Sequence, residues 1–524
     1  MKDFSINKMC TYISIAIFSL LITLPLIFIN TDKNKISVTE NRKLSPFPPL
    51  KTEKNKYNHS FIKDFEKFVD DNIGFKQEAV IADIAYFYKV FHKVKVPHYL
   101  EGKNQHLFYA VPWNNIPIYQ GKNHLKETEL KQSADAFMTM KKYFEKTGAK
   151  FLMMTIPEKE NIYPEYYPKS IIRLNDKTTV DILIEYLQKN TDIDVFSVKE
   201  QLINNKGKEL LYYRNVDPAH WNMNGAFIGY MELMKKIQKS FPDIKILNKE
   251  DFDITEMPSK GTLAHLADFK IIADAMRLKD SIYGYNLKGG YNFKVTDKVP
   301  EGVVLDKNNN FYHYTNTKDP NLPKLLMIGD SFIYLYMLPM LTESFSDVYF
   351  TRYSNAYEIV KLQETIKADI VVYETVERGF NYAVKTKSIA EMSNYIDNDF
   401  TYESLKTIDQ QPAVYIDIPV IKDGALPVNS DTITTPILGW AVDAKEEKLS
   451  GGLYLKLNNK YYKAVMMERP DLAKVKQEYI YAGFEFNIPT NELISTDKIQ
   501  IIVISNDKTY KYKPFEIKFK IENK

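Results

Sequence analysis

The chain has 524 residues, 44% hydrophobic and 26% charged, which excludes a disordered polymer and is too long for one compact core. Lysine and arginine total 70 against 67 acids, a formal net charge of +3 that gives no reason to expect a nucleic-acid partner. The single cysteine, Cys10, lies in the first apolar run, so thiol nucleophiles, thiolate metal sites and disulfides are excluded from everything beyond it.

After a short tail (1–9), residues 10–29, "CTYISIAIFSLLITLPLIFI", carry no charge. As a helix they would span roughly 30 Å, the hydrocarbon thickness of a bilayer. The following "FINTDKNK" has no small-residue cleavage pattern, so the segment reads as an uncleaved transmembrane anchor. Lys2 and Lys8 precede it, while Lys33, Lys35, Arg42 and Lys43 follow it, so charge alone does not favour export of the body. Residues 30–56, polar and lysine-rich with "SPFPPL", read as a stalk. Phe61, Phe65 and Phe68 then recur at helical spacing, and a break near Gly74 predicts two helices leading into the main domain.

Within residues 57–400, "KFLMMTI", "DVFSV", "KLLMI", "DVYFT" and "DIVVYET" are short apolar runs separated by longer amphipathic stretches. This pattern predicts an α/β domain with a mostly parallel sheet between helices, three layers in all. Residues 252–322, with turn signals in "YNLKGGYNF" and "DKNNNFYHYTN", are expected to form loops or short strands. From residue 410 the texture becomes strand and turn, with hairpins predicted at Asn458–Asn459 and at "SND", and 410–524 reads as a small antiparallel β-sandwich.

The run "KLLMIGDSFIYLYMLPML" (324–341) goes from strand through a tight turn into a helix and puts Ser331 at the helix mouth. A nucleophilic serine needs a base, and the base an orienting acid. Of eight histidines, His220 is distinguished by "NVDPAHWNMNG", in which Asp217 precedes it by three residues on a loop leading into a helix. Asp217 could fix the imidazole tautomer so that the other ring nitrogen takes the Ser331 proton. The plainer alternative is that Asp217 caps a helix, His220 is a surface residue, and Asp330 and Ser331 are an N-cap pair.

"IGDSF" with an earlier "DPAHW" resembles the SGNH-hydrolase-like proteins typified by alginate O-acetyltransferases. "TENRKLSPFP", "FVDDNIGFKQ", "TIPEKENIYPEYYP" and "DIVVYETVER" agree with the same family in the same order, over residues 37–380. Members usually carry D-x-H-W or D-H-H-W, whereas this chain has two residues between Asp217 and His220, the D-x-x-H spacing of the wider SGNH hydrolases. The resemblance implies transfer of acetyl groups onto sugar hydroxyls of an extracellular or cell-wall polysaccharide, with Ser331 as nucleophile, His220 as base and Asp217 as orienter. It implies no cofactor or metal in this chain, a membrane-spanning acyltransferase partner that supplies the acetyl group, and a catalytic body outside the cell membrane. A carbohydrate acetylesterase with the same triad and a non-catalytic glycan-binding or assembly protein are the alternatives.

Lys159 and Tyr163 stand in a recurring family segment and are candidate substrate contacts, as is Trp221 beside the triad; the plainer reading of Lys159 is a solvated loop residue. Glu374 and Arg378 follow a strand's carboxyl end, where ligands gather in open sheets, but read better as a structural ion pair. The closing β domain resembles the family's carbohydrate-binding appendage in position and class. Its Trp440, Tyr454, Tyr461, Tyr462 and Tyr481 are candidates to stack on sugar rings, with about half expected inside by strand alternation.

Overall fold

A strand covered on both faces reads as an unbroken apolar run, and the central strands of this chain are of that kind. The computed structural model describes residues 6–32, 35, 43–51, 57–91, 99–110, 115–122, 125–259, 280–306, 309–379, 391–396, 402–421, 425–496 and 498–522. His92, His98, His124, His265 and much of the expected stalk lie outside the described residues.

Helix α1 (Ile6–Ile27) is long and apolar enough to cross a membrane. Helices α2 (Phe61–Asn72) and α3 (Lys76–Phe91) follow, broken at Gly74. A short ladder of β1 (Tyr99–Glu101) and β2 (Leu107–Tyr109) precedes α4 (Asn115–Gln120) and α5 (Glu127–Lys146). Next come β3 (Lys150–Ile156), α6 (Lys159–Ile162), α7 (Thr179–Asn190), β4 (Val195–Ser197), α8 (Lys199–Asn205) and α9 (Met223–Gln238). The region expected to be irregular holds an antiparallel pair, β5 (Phe252–Pro258) with β6 (Ser281–Leu287), then β7 (Phe293–Thr296) and β8 (Phe311–Asn316). Strand β9 (Lys324–Gly329), one-turn helices α10 (Ser331–Tyr334) and α11 (Leu338–Leu341), β10 (Asp347–Arg352), α12 (Ala356–Ile366) and β11 (Ile370–Val376) complete this part.

The main sheet is mixed, in the order β4-β3-β11-β9-β10-β8-β7. The pairings from β4 to β10 are parallel, and β8 and β7 are added antiparallel at one edge. Alternation sends Phe151, Met153, Leu326, Ile328 and Val371 to the face covered by α5, α7 and α12. Leu152, Met154, Leu325, Met327 and Val372 pack on the other face with Trp221, Phe332 and the Phe227, Tyr230 and Met234 stripe of α9.

Beyond residue 402 the described chain is β-rich. One sheet has β12 (Lys406–Ile408), β22 (Tyr510–Tyr512), β21 (Lys498–Ile504), β17 (Gly452–Leu457) and β18 (Lys460–Lys463), with β23 (Phe515–Glu522) and β14 (Ala425–Asn429) attached through β21. The other has β13 (Ala413–Ile418), β15 (Thr434–Asp443), β20 (Gly483–Pro489) and β19 (Val465–Met467), with β16 (Lys448–Leu449) on β15. Side chains of both sheets, among them Leu426, Leu455 and Ile501 with Ile437, Phe484 and Phe486, share one apolar core. Two expectations are corrected. The region is not wholly antiparallel, because β12 runs parallel to β22 and β14 to β23. The run from Lys498 forms three strands, not two: Pro514 has no N–H to continue the ladder, the register slips by one residue there, and β22 and β23 pair with successive parts of the same edge of β21, opposite β17.

His106, between β1 and β2, is buried and stacks on Tyr166 with ring centroids 4.2 Å apart. Burial, with the nearby Lys159 and Arg214 charges adding to it, lowers its pKa to about 3. The unfolded chain therefore takes up a proton below about pH 6.5 that the folded chain refuses until about pH 3, so this group's share of stability is complete above 6.5 and falls with pH across that window. His106→Phe should keep the packing and remove this slope. Denaturant midpoints at pH 7 and pH 4 should show wild type losing on the order of a few kcal/mol more than the variant.

Candidate active site

Ser331 follows the carboxyl end of β9 as the first residue of α10. The turn is held from behind by Asp330, the helix N-cap, whose Oδ1 accepts the Phe332 N–H at 2.9 Å. Its Oδ2 accepts from the Tyr353 hydroxyl at 3.1 Å and the Val376 N–H at 3.2 Å. One carboxylate thus joins the loops after β9, β10 and β11. Gly329 is required by close approach, since a Cβ there would lie 2.6 Å from Glu374 Oε2. That oxygen accepts the Asp330 N–H at 3.0 Å, and burial, then the charge of Asp330, raises the Glu374 pKa well above the carboxylate range.

Asp217 and His220 come from the loop between α8 and α9. Asp217 Oδ1 accepts the N–H groups of Ala219 (3.0 Å) and His220 (3.1 Å), so the loop closes on its own acid. Asp217 Oδ2 lies 2.9 Å from His220 Nδ1, and His220 Nε2 lies 2.7 Å from Ser331 Oγ. A carboxylate only accepts, so Nδ1 carries the proton and Nε2 presents a lone pair to the Ser331 hydroxyl. Burial alone would raise the Asp217 pKa, but the His220 ring and the two N–H groups outweigh it and hold the acid at about 2. The three residues named from the sequence are therefore brought together in hydrogen-bonding order, 111 residues of chain separating His220 from Ser331. Asp330 is an N-cap, as the plainer reading had it, but His220 is not an idle surface residue.

Lys159, Tyr163 and Trp221, expected as substrate contacts, stand behind the site with at most 3% of their surface exposed. Lys159 Nζ donates to the carbonyls of Leu107 (2.6 Å) and Arg214 (2.8 Å), tying the Asp217 loop to β2. Burial lowers its pKa to about 7 against the opposing charges of Asp280, Asp217 and Glu160. The Tyr163 hydroxyl accepts the Leu211 N–H at 3.0 Å, and Trp221 Nε1 donates to Phe332 O at 3.1 Å. Each polar atom is already engaged by backbone, so these side chains set the position of the loop and of α10.

Arg378 and Glu374 do not pair with each other. Arg378 makes a two-pronged bond to Glu158, at 2.7 and 2.6 Å, and lies 5.5 Å over the Phe332 ring, which also contacts His220 at 4.8 Å. Asp280 was not expected: its Oδ2 accepts the N–H groups of Asn215 (2.9 Å) and Val216 (3.4 Å), immediately before Asp217. It follows a stretch outside the described residues, and nothing in its sequence surroundings marks it. Among the described residues no group of His, Cys, Asp and Glu is gathered as metal ligands. In the β-rich region Tyr462 is buried, whereas Trp440 stands beside the exposed Tyr415 with centroids 6.3 Å apart and planes at 22°. Tyr454, Tyr461 and Tyr481 are half-buried.

No curated protein matches the chain. Among solved structures it is similar to Bacillus cereus PatB1 with a sulfonyl adduct, at 18% identity and a TM-score of 0.40, over 54% of this chain and 96% of that one. It is also similar to the O-acetyltransferase domain of Pseudomonas putida AlgJ, at 14% identity and a TM-score of 0.36, over 57% and 100%. Residues 100–288, which include Asp217 and His220 and stop short of Ser331, match the family model of the SGNH hydrolase-like domain of the acetyltransferase AlgX, and this is the family the chain resembles.

Proposed function

We propose that this chain is an O-acetyltransferase that moves acetyl groups through Ser331 onto hydroxyls of an extracellular or cell-wall polysaccharide. The observation that carries the reading is the ordered contact Asp217–His220–Ser331, with 2.9 and 2.7 Å between the bonded atoms. The match of residues 100–288 to an acetyltransferase domain supports the choice of acyl group.

In the first half-reaction Ser331 Oγ attacks the carbonyl carbon of an acetyl ester or thioester as its proton passes to His220 Nε2. The carbonyl π electrons move onto oxygen and return as the donor's C–O or C–S bond breaks, and His220 gives its proton to the leaving group. In the second, a sugar hydroxyl loses its proton to His220 while its oxygen attacks the acetyl-serine, and Ser331 Oγ leaves with that proton. Asp217, kept ionised, holds the tautomer and stabilises the imidazolium formed in each half. The Ser331 N–H, first of α10 and without an intrahelical acceptor, suits the developing oxyanion. A membrane-spanning acyltransferase would deliver the acetyl group, with the body on the outer face of the membrane that α1 crosses.

Ser331→Ala should lower turnover of an acetyl ester by about 10³-fold or more and abolish covalent labelling by a serine-reactive probe. An unlabelled wild type, or a variant with normal turnover, would defeat the reading. With an oligosaccharide acceptor the wild type should yield acetylated sugar, and acetate alone would make the chain an esterase.

For the β-rich region the reading is that it holds the polymer, with Tyr415 and Trp440 as a sugar-stacking platform. Tyr415→Ala with Trp440→Ala should leave turnover of a small soluble ester unchanged and weaken acetylation of long glycan chains several-fold. Equal loss of both activities in a folded variant would assign the region to the catalytic unit.

A further inference from the structure

The last turn of α1 is seated on the corner between α2 and α3. The Gly74 N–H donates to Pro25 O at 2.9 Å, the Asn30 N–H to Asn72 O at 2.8 Å, and Asn30 Nδ2 to Asn72 Oδ1 at 2.6 Å. Phe28 and Phe75 meet edge to face with centroids 5.2 Å apart, and a Cβ on Gly74 would lie only 2.8 Å from Phe28 Cβ. If α1 spans a bilayer, its final turn lies at the edge of the hydrocarbon, and this corner is fixed at the same depth.

From that corner α3 runs 16 residues, about 24 Å at the helical rise. Ala79, Ala82, Tyr86 and Val90 recur at spacings of three, four and four along one side, Phe75 stands just before the helix with φ 59°, and all five are exposed, Tyr86 by 58% and Val90 by 51%. Ile84, on the opposite side, is buried at 5%. Tyr88, beside Ile84, lies in the field of Glu101 of β1, so this side turns toward the body, while exposed Val80 (41%) and Phe91 (53%) extend the apolar surface beyond the stripe. Exposed Glu78, Asp83 and Lys89 flank the stripe with mixed sign, so the surface is apolar in the middle and charged at its margins without favouring an anionic partner.

We propose that α3 lies in the interfacial layer of the bilayer that α1 crosses, with the Phe75–Ala79–Ala82–Tyr86–Val90 stripe against the acyl chains and the flanking charges among the headgroups. The inference rests on the reading of α1 as a membrane span. What selects lipid over a protein partner is continuity: the stripe begins at Phe75, which already packs on Phe28 at the end of the span. Aromatic residues such as Tyr86 concentrate at headgroup level.

The test uses the full chain carrying Cys10→Ser in phosphatidylcholine nanodiscs, with one nitroxide label at a time on Ala82→Cys, Tyr86→Cys, Phe18→Cys or Glu447→Cys. Oxygen, which concentrates in the bilayer, should relax the labels at 82 and 86 more strongly than a water-soluble nickel chelate does. The order should reverse at 447, and 18 should read deepest. Labels at 82 and 86 that behave like 447 would overturn the proposal. So would labels shielded from both reagents, which would place a protein on the stripe, or spin–spin broadening, which would place a second copy there. If 18 itself reads as water-exposed, the span is at fault and both readings fall with that separate signature.

Discussion

The site depends on where a parallel sheet ends. Backbone groups at the carboxyl edge of β9, β10 and β11 have lost their ladder partners, and something must satisfy them without filling the space in front. Asp330 helps from below, accepting the backbone N–H groups of Phe332 after β9 and Val376 at the end of β11, and the side-chain hydroxyl of Tyr353 after β10. Ser331 is then left as the first residue of a one-turn helix with its hydroxyl pointing at His220. A rotamer change in Asp330 would free two buried N–H donors and the part-buried Tyr353 hydroxyl together, which disfavours other arrangements of the turn.

Charge is arranged in a second layer behind that edge. Arg378 keeps its proton although burial works against it, because the Glu158 carboxylate outweighs the desolvation. Glu374 goes the other way: close to Asp330 and out of water, it is pushed toward the neutral acid.

Much of this was legible in the sequence, and the reason differs by element. β3, β9 and β11 were readable because burial on both faces leaves no polar alternation to mislead. Ser331, His220 and Asp217 were singled out through the family resemblance, because their spacing alone fitted an N-cap pair and a surface histidine equally well. Lys159 was misplaced because its two acceptors are backbone carbonyls from distant segments, and a carbonyl leaves no trace in residue identity. Arg378 was given the wrong partner for a similar reason. Glu374 is nearer in sequence, but its side chain, on the strand, turns under the Gly329 turn, while Glu158 arrives from β3 through the parallel pairing of β3 with β11. The parallel strands β12 and β14 escaped because their partners lie across the whole β-rich region.

Lys159 has a bearing on how the protein comes together. Buried Lys159 loses a large part of its stabilisation when either carbonyl is missing, so half-assembled arrangements are disfavoured. Leu107 and Arg214 must reach Lys159 in the same step, and the Leu107 N–H bonded to Arg214 O at 2.9 Å closes the circuit between them. The β1–β2 ladder and the loop of Asp217 are thereby one cooperative folding unit, although more than a hundred residues apart in the chain. Loosening the ladder would disorder the acid–base pair well before the sheet beneath it melts.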